Sequence, residues 1–164
     1  MSTRLTSGLI PGLLLFGSIW GFSEATFGEF LYANNLPHAS IYLTFIAVAV
    51  LAAARASFSF AWTGTVVGLI AMLFKLVNVP FFGCHLMAIV LLGTGFDAAY
   101  ALTAQFSGKS FRAPLMGITA NYIGRMLFAV IITYVVRYDH WTVVGLPKVV
   151  DYIFISGTVS AVGA

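Results

Sequence analysis

Residues 74–87, FKLVNVPFFGCHLM, gather a lysine, an asparagine, a proline, a cysteine and a histidine in a chain that is otherwise mostly apolar. Such groups could chelate a metal, carry catalysis, or replace water around a polar solute. The spacing argues against a metal. Cys84 and His85 are adjacent, and neighbours on a helix point about 100° apart. H-x-x-x-H, H-E-x-x-H and C-x-x-C are all absent, so a chelate would need His38 or His140 folded in from other loops. Catalysis is not favoured either. Ser23 lies in GFSEA, without the second glycine of G-x-S-x-G, and Ser156 has no histidine near it in sequence. A paired-aspartate catalyst needs both carboxyls at one depth, whereas Asp97 and Asp151 fall near opposite ends of their helices. No catalytic residue, metal ligand or cofactor is therefore assigned, and a pocket for a solute remains.

Four more charges bear on that pocket. Glu24, Lys75, Asp97 and Arg125 all sit inside apolar stretches. A charge at the centre of a bilayer costs at least about 2.5–3.5 kcal/mol on insertion scales, so each needs a partner or a wet cavity. At about 1.5 Å per residue, Glu24 lies about 24 Å along the first helix and Lys75 about 22 Å along the third, in the same sense, so the two reach similar heights. Either they form an ion pair that only fixes helix register, or they belong to a site. Glu29, Asn34, Asn35, His38, Asn78, His85 and Asp151 fall at the same level, and polar groups concentrated at one end of an apolar bundle read as the mouth of a solvated cavity. The solute-binding candidates are Glu24, Asn34, His38, Lys75, Asn78, His85 and Asp151. Their mixture of acid, base and amide suits a zwitterionic or heteroaromatic molecule. Asp97 and Arg125 differ in estimated depth, and pairing them would need long reach or tilt.

The elements that must hold these groups follow from composition. Of 164 residues, 60% are hydrophobic and 8% charged, with a mean hydropathy of +0.99. A soluble domain carries roughly 25% charged residues, so the chain is expected in a bilayer. Apolar stretches cover about 8–33, 39–55, 60–78, 81–105, 112–137 and 147–164. This predicts an all-α, polytopic membrane protein: a single domain built as a six-transmembrane-helix bundle. The first stretch runs too long for a signal peptide and is read as an uncleaved span. No soluble domain fits, and the Walker A pattern is broken because Thr103 stands where its first glycine belongs. Arg4, Arg55, Lys109 and Arg112 fall on one side of the membrane without acidic neighbours, while Arg137 and Lys148 on the other accompany Asp139 and Asp151. Basic residues favour the cytoplasmic side, so both termini are expected there, in a multi-pass protein of the plasma or inner membrane. The net charge of +3 reflects this topology rather than nucleic-acid binding. Tyr32, Tyr42, Tyr134, Tyr138 and Trp141 are expected at the outer interface. Small residues recur at helical spacing at Gly17, Gly21 and Ala25, at Gly64, Gly68 and Ala71, and at Gly157 and Ala161. Such stripes either pack the bundle internally or dock a partner.

The segment WGFSEATFGEFLYANNLPH, followed by an alanine-rich second helix, and the segment GTVVGLIAMLFKLVNVPFFGCHLMAIVLLGTGFDAAYAL resemble the first to fourth helices of S components, the substrate-binding membrane subunits of energy-coupling factor (ECF) transporters. The resemblance implies a membrane-embedded capture protein for a vitamin, related micronutrient or metal ion. It makes NNLPH a lid, with Asn78, His85 and Asp151 among the lining groups. It also implies that Gly17, Gly21 and Ala25 contact a transmembrane T component driven by two ATPase subunits, and that this chain catalyses nothing itself. Two other readings stand beside it: a structural or assembly subunit of a larger membrane complex, and a small intramembrane enzyme.

Overall fold

In a computed structural model, residues 3–34, 36, 39–77, 83–104 and 109–163 are described, and among them no strand occurs. Helix α1 spans Thr3–Ala33, α2 Ala39–Ser57, α3 Thr63–Lys75 and α4 Gly83–Thr103. Helix α5 runs over 109–135, as an α-helix Lys109–Val130 continued by a π-helical turn Ile131–Val135. A one-turn helix α6, Asp139–Thr142, interrupts the last connection. Helix α7 covers 146–163, again with a π-helical segment, Asp151–Ile155, inside it. Each of the six apolar stretches contains a helix, with shifted bounds: α1 starts at Thr3 rather than residue 8, α3 covers Thr63–Lys75 rather than 60–78, α5 starts at Lys109 rather than residue 112, and α6 is additional. Helix α5 ends where Arg137 takes a left-handed φ of 55°, and the Tyr138 N–H reaches back to the Ile132 carbonyl at 3.1 Å. That is a helix stop usually given to glycine.

Helices Gly8–Ala33, Ala39–Ser57, Gly83–Thr103 and 114–135 are long and apolar enough to cross a membrane, and Thr63–Lys75 is apolar but shorter. The surface agrees with a lipid environment. Phe22 is 63% exposed and Val135 72%, and Leu14, Phe45 and Ile155 also face outward. Glu24, Lys75, Asp97, Asn121 and Arg125 are all buried. Water would select the reverse arrangement.

The core lies between α1, α2, α3 and α4, around Trp20, Leu51, Val67 and Phe96. A second cluster, Phe128, Ile132, Trp141 and Val149, joins α5, α6 and α7. Trp141 thus packs inward, edge-on to Phe128 and Tyr152, whereas Tyr32, Tyr42, Tyr134 and Tyr138 are exposed.

The small-residue stripes explain the tight helix spacing. A Cβ on Gly93 would fall 2.4 Å from the Gly64 carbonyl oxygen, and one on Gly95 2.9 Å from the Gly124 nitrogen. Here backbones meet directly, which only glycine allows. Gly17 and Gly21 face Ile70 and Phe74 of α3, and Gly157 faces Tyr122 of α5. The α1 and α7 glycines therefore serve contacts within the chain.

Candidate functional site: a buried polar cavity

Two polar centres form at opposite ends of the bundle, and they differ in kind. At the end where α2 stops and α3 starts, Asp97 of α4 caps α3. Its Oδ1 accepts from the Gly64 N–H at 2.9 Å, and its Oδ2 accepts from the Thr65 N–H at 2.7 Å and the Thr65 hydroxyl at 2.8 Å. The first turn of α3 has no cap of its own, since Trp62 precedes it without a side-chain bond. A carboxylate there satisfies orphan N–H groups and complements the positive helix end. Arg55 lies at the same end, donating to the Phe60 carbonyl and stacking its guanidinium 3.8 Å from the Tyr100 ring centre. Both carboxylate oxygens of Asp97 are thus turned to architecture, and it does not meet Arg125.

The other centre borders a half-open space. A cavity of about 90 Å³ is lined by Glu24, Lys75, His85, Asn121, Arg125 and Tyr152, with Trp20, Tyr32 and Phe128 supplying aromatic wall. Helix α1 contributes Trp20 and Glu24 one turn apart, and the Trp20 indole N–H donates to Glu24 Oε1 at 3.3 Å. Helix α3 delivers Lys75 at its last turn. The ammonium donates to the main-chain carbonyl of Glu24 at 2.9 Å rather than to its carboxylate. Gly28, one turn after Glu24, lies beside it: a Cβ there would meet Lys75 Nζ in ordinary contact at 3.4 Å. His85, near the start of α4, stacks on Tyr32 at 5.2 Å between ring centres, which ties the ends of α1 and α4 together.

Helix α5 brings Asn121 and Arg125, again one turn apart. Arg125 Nε donates to Asn121 Oδ1 at 3.0 Å, and Nη2 donates to the Ser160 hydroxyl at 2.5 Å. Asn121 in turn donates to the Gly157 carbonyl at 2.9 Å, fixing α5 to α7. The guanidinium carbon lies 4.7 Å from the centre of the Tyr152 ring. Arg125 Nη1 is buried without a hydrogen-bond partner. Among the described residues no group of three or more His, Cys, Asp or Glu comes together that could hold a metal ion.

The expected site residues separate as follows. Glu24, Lys75 and His85 line the cavity. Asn34 and Asp151 are exposed and do not line it, while His38 and Asn78 lie outside the described residues. Asn121, Arg125, Tyr32 and Tyr152 complete the walls, although the sequence reading did not include them in the site. A sequence signal existed for two of them: Asn121 and Arg125 are four apart in an apolar stretch, the spacing at which helical side chains meet. Trp20 and Glu24 share that spacing. The fold and site together define an all-helical protein with four helices long and apolar enough to cross a membrane, and with a cavity bordered by charged side chains. The chain matches no protein-family model, no curated protein and no solved structure.

Proposed function

We propose that this chain is the solute-binding subunit of a membrane uptake transporter, of the S-component type that its first four helices resemble, and that it takes up a vitamin or related small micronutrient. The observation that carries the reading is the cavity of about 90 Å³ bordered by Glu24, Lys75 and Arg125. Charges that only glued helices together would be packed against one another without a void. Here three buried ionisable groups border open volume, and the Lys75 ammonium bonds a carbonyl instead of closing on the carboxylate. Drug-sized pockets measure about 300–1,000 Å³, so a cavity of this size suits a small solute.

In this reading six stretches cross the plasma or inner membrane, with both termini cytoplasmic because Arg4, Arg55, Lys109 and Arg112 lie on that side. The cavity then lies toward the outer leaflet, at the end of the bundle where α3 delivers Lys75. Solute enters, the polar walls replace its hydration shell, and release inward is driven by a T component and two ATPase subunits on other chains. Gly17 and Gly21 are engaged with α3, so a membrane partner reaches α1 through another face.

Mass spectrometry of molecules that copurify with the detergent-solubilised protein, paired with uptake into cells, tests the reading. A stoichiometric small solute whose uptake falls at least tenfold in Lys75→Ala is the expected result. An empty protein together with unchanged uptake would remove the receptor reading.

A further inference from the structure

The cavity wall does not balance in charge. Among the described residues lining it, Lys75 and Arg125 are the cations and Glu24 the one acidic residue. The other acidic residues lie elsewhere: Asp97 caps α3 at the opposite end, and Glu29, Asp139 and Asp151 are exposed. Residues 35–38 and 78–82 contain no acidic residue. Arg125 is the sharper case. It is 5% exposed, its bonded partners Asn121 and Ser160 are neutral, and Nη1 has no partner. A guanidinium this deep, with an unused N–H, is stable only beside an anion or ordered water. The planar fork of arginine matches a carboxylate or similar oxyanion through two parallel N–H bonds.

Resting on the reading of the cavity as a solute site, we infer that the solute is a small monoanion whose carboxylate, or a like planar oxyanion, is received by Arg125 with Lys75 as the second cation. Glu24, held by Trp20, excludes dianions by repulsion. Tyr152 and Phe128 supply the surface for the solute's apolar or ring portion.

Thermal unfolding of the detergent-solubilised chain tests this with matched probes: propionate against propionamide and propylammonium, and benzoate against benzamide. A ligand that binds only the folded state raises the midpoint according to its concentration over Kd. The anions are expected to raise it and their neutral or cationic counterparts to leave it unchanged. Arg125→Gln is expected to abolish the shift, and Lys75→Met to weaken the apparent affinity at least tenfold, which also serves if Arg125→Gln fails to fold. A stoichiometric small anion in the copurifying extract would support the inference even where these probes are too weak. If amide or amine probes stabilise as well as the anions, or the extract holds an uncharged solute, a cation or a lipid, the anion inference is overturned; bound uncharged or cationic solute would leave the receptor reading standing. No shift from any probe and an empty extract would overturn both.

Discussion

Asp97 is the charge whose role is most sharply defined, and replacing it separates architecture from binding. Asp97→Ala removes the acceptor for two main-chain N–H groups at the start of α3 and for the Thr65 hydroxyl. Leaving a buried donor unsatisfied costs about 1–3 kcal/mol. Gly64 is buried and Thr65 half-buried, so the loss for the two N–H groups together is about 3 kcal/mol. For a domain of this length each kcal/mol lowers the midpoint by about 2–4 °C, which gives a drop of about 6–12 °C. Asp97→Asn keeps one carbonyl oxygen but turns an NH₂ toward the second donor, and is expected to lose about half as much, roughly 1–2 kcal/mol. Thr65→Ala loses one hydroxyl bond, about 1 kcal/mol. The measurement is thermal unfolding in detergent, with hydrogen exchange at the Gly64 and Thr65 amides as the local readout. Exchange there should quicken in Asp97→Ala, while solute affinity stays as in the parent, because the cavity lies at the other end of the bundle. A midpoint within about 2 °C of the parent, with those amides still protected, would refute the capping argument.

Three further outcomes are expected. Gly93→Ala sets a methyl against the Gly64 carbonyl, where a Cβ would stand at 2.4 Å; since backbone cannot rotate away, α3 and α4 must separate, at a cost of about 1–3 kcal/mol in denaturation, whereas Gly8→Ala, with nothing within 4 Å, stays within about 0.5 kcal/mol of the parent. Gly145→Ala forces an alanine into φ 63°, ψ −139° at the start of α7, a region nearly reserved for glycine, and should lower stability by about 1–3 kcal/mol. With Trp62→Phe and Trp141→Phe combined, Trp20 is left as the lone indole; it is fully buried and lines the cavity, so its emission should change when solute binds, and an unchanged spectrum under saturating solute would detach Trp20 from the site.

Part of the site could be read from local geometry. The rise per residue along α1 and α3 brought Glu24 and Lys75 to one height, and the start of α4 brought His85 to the same end. Arg125 escaped because depth was the only coordinate available for it: height along a helix follows from counting residues, but rotation about the axis does not. That rotation turns Arg125 away from Asp97 and toward Ser160 and Tyr152 on the last helix, 35 and 27 residues further on. The same limit governed the glycines. Spacing grouped Gly17 with Gly21 and Gly64 with Gly68, yet nothing local says whether such a face meets a neighbour in the same chain or another protein.

Composition and periodicity by themselves determined that this chain is helical, apolar on its outside, and obliged to shelter a few ionised groups, because hydration and hydrogen bonding act residue by residue. Only the packed bundle decided which of those groups became a helix cap and which border a cavity. Asp97 and Glu24 are both carboxylates inside apolar helices. The first found two unpaired N–H groups within reach and was consumed by them; the second is held by the Trp20 indole at the wall of the cavity. That distinction rests on contacts between helices far apart in the chain, and only their mutual orientation creates it.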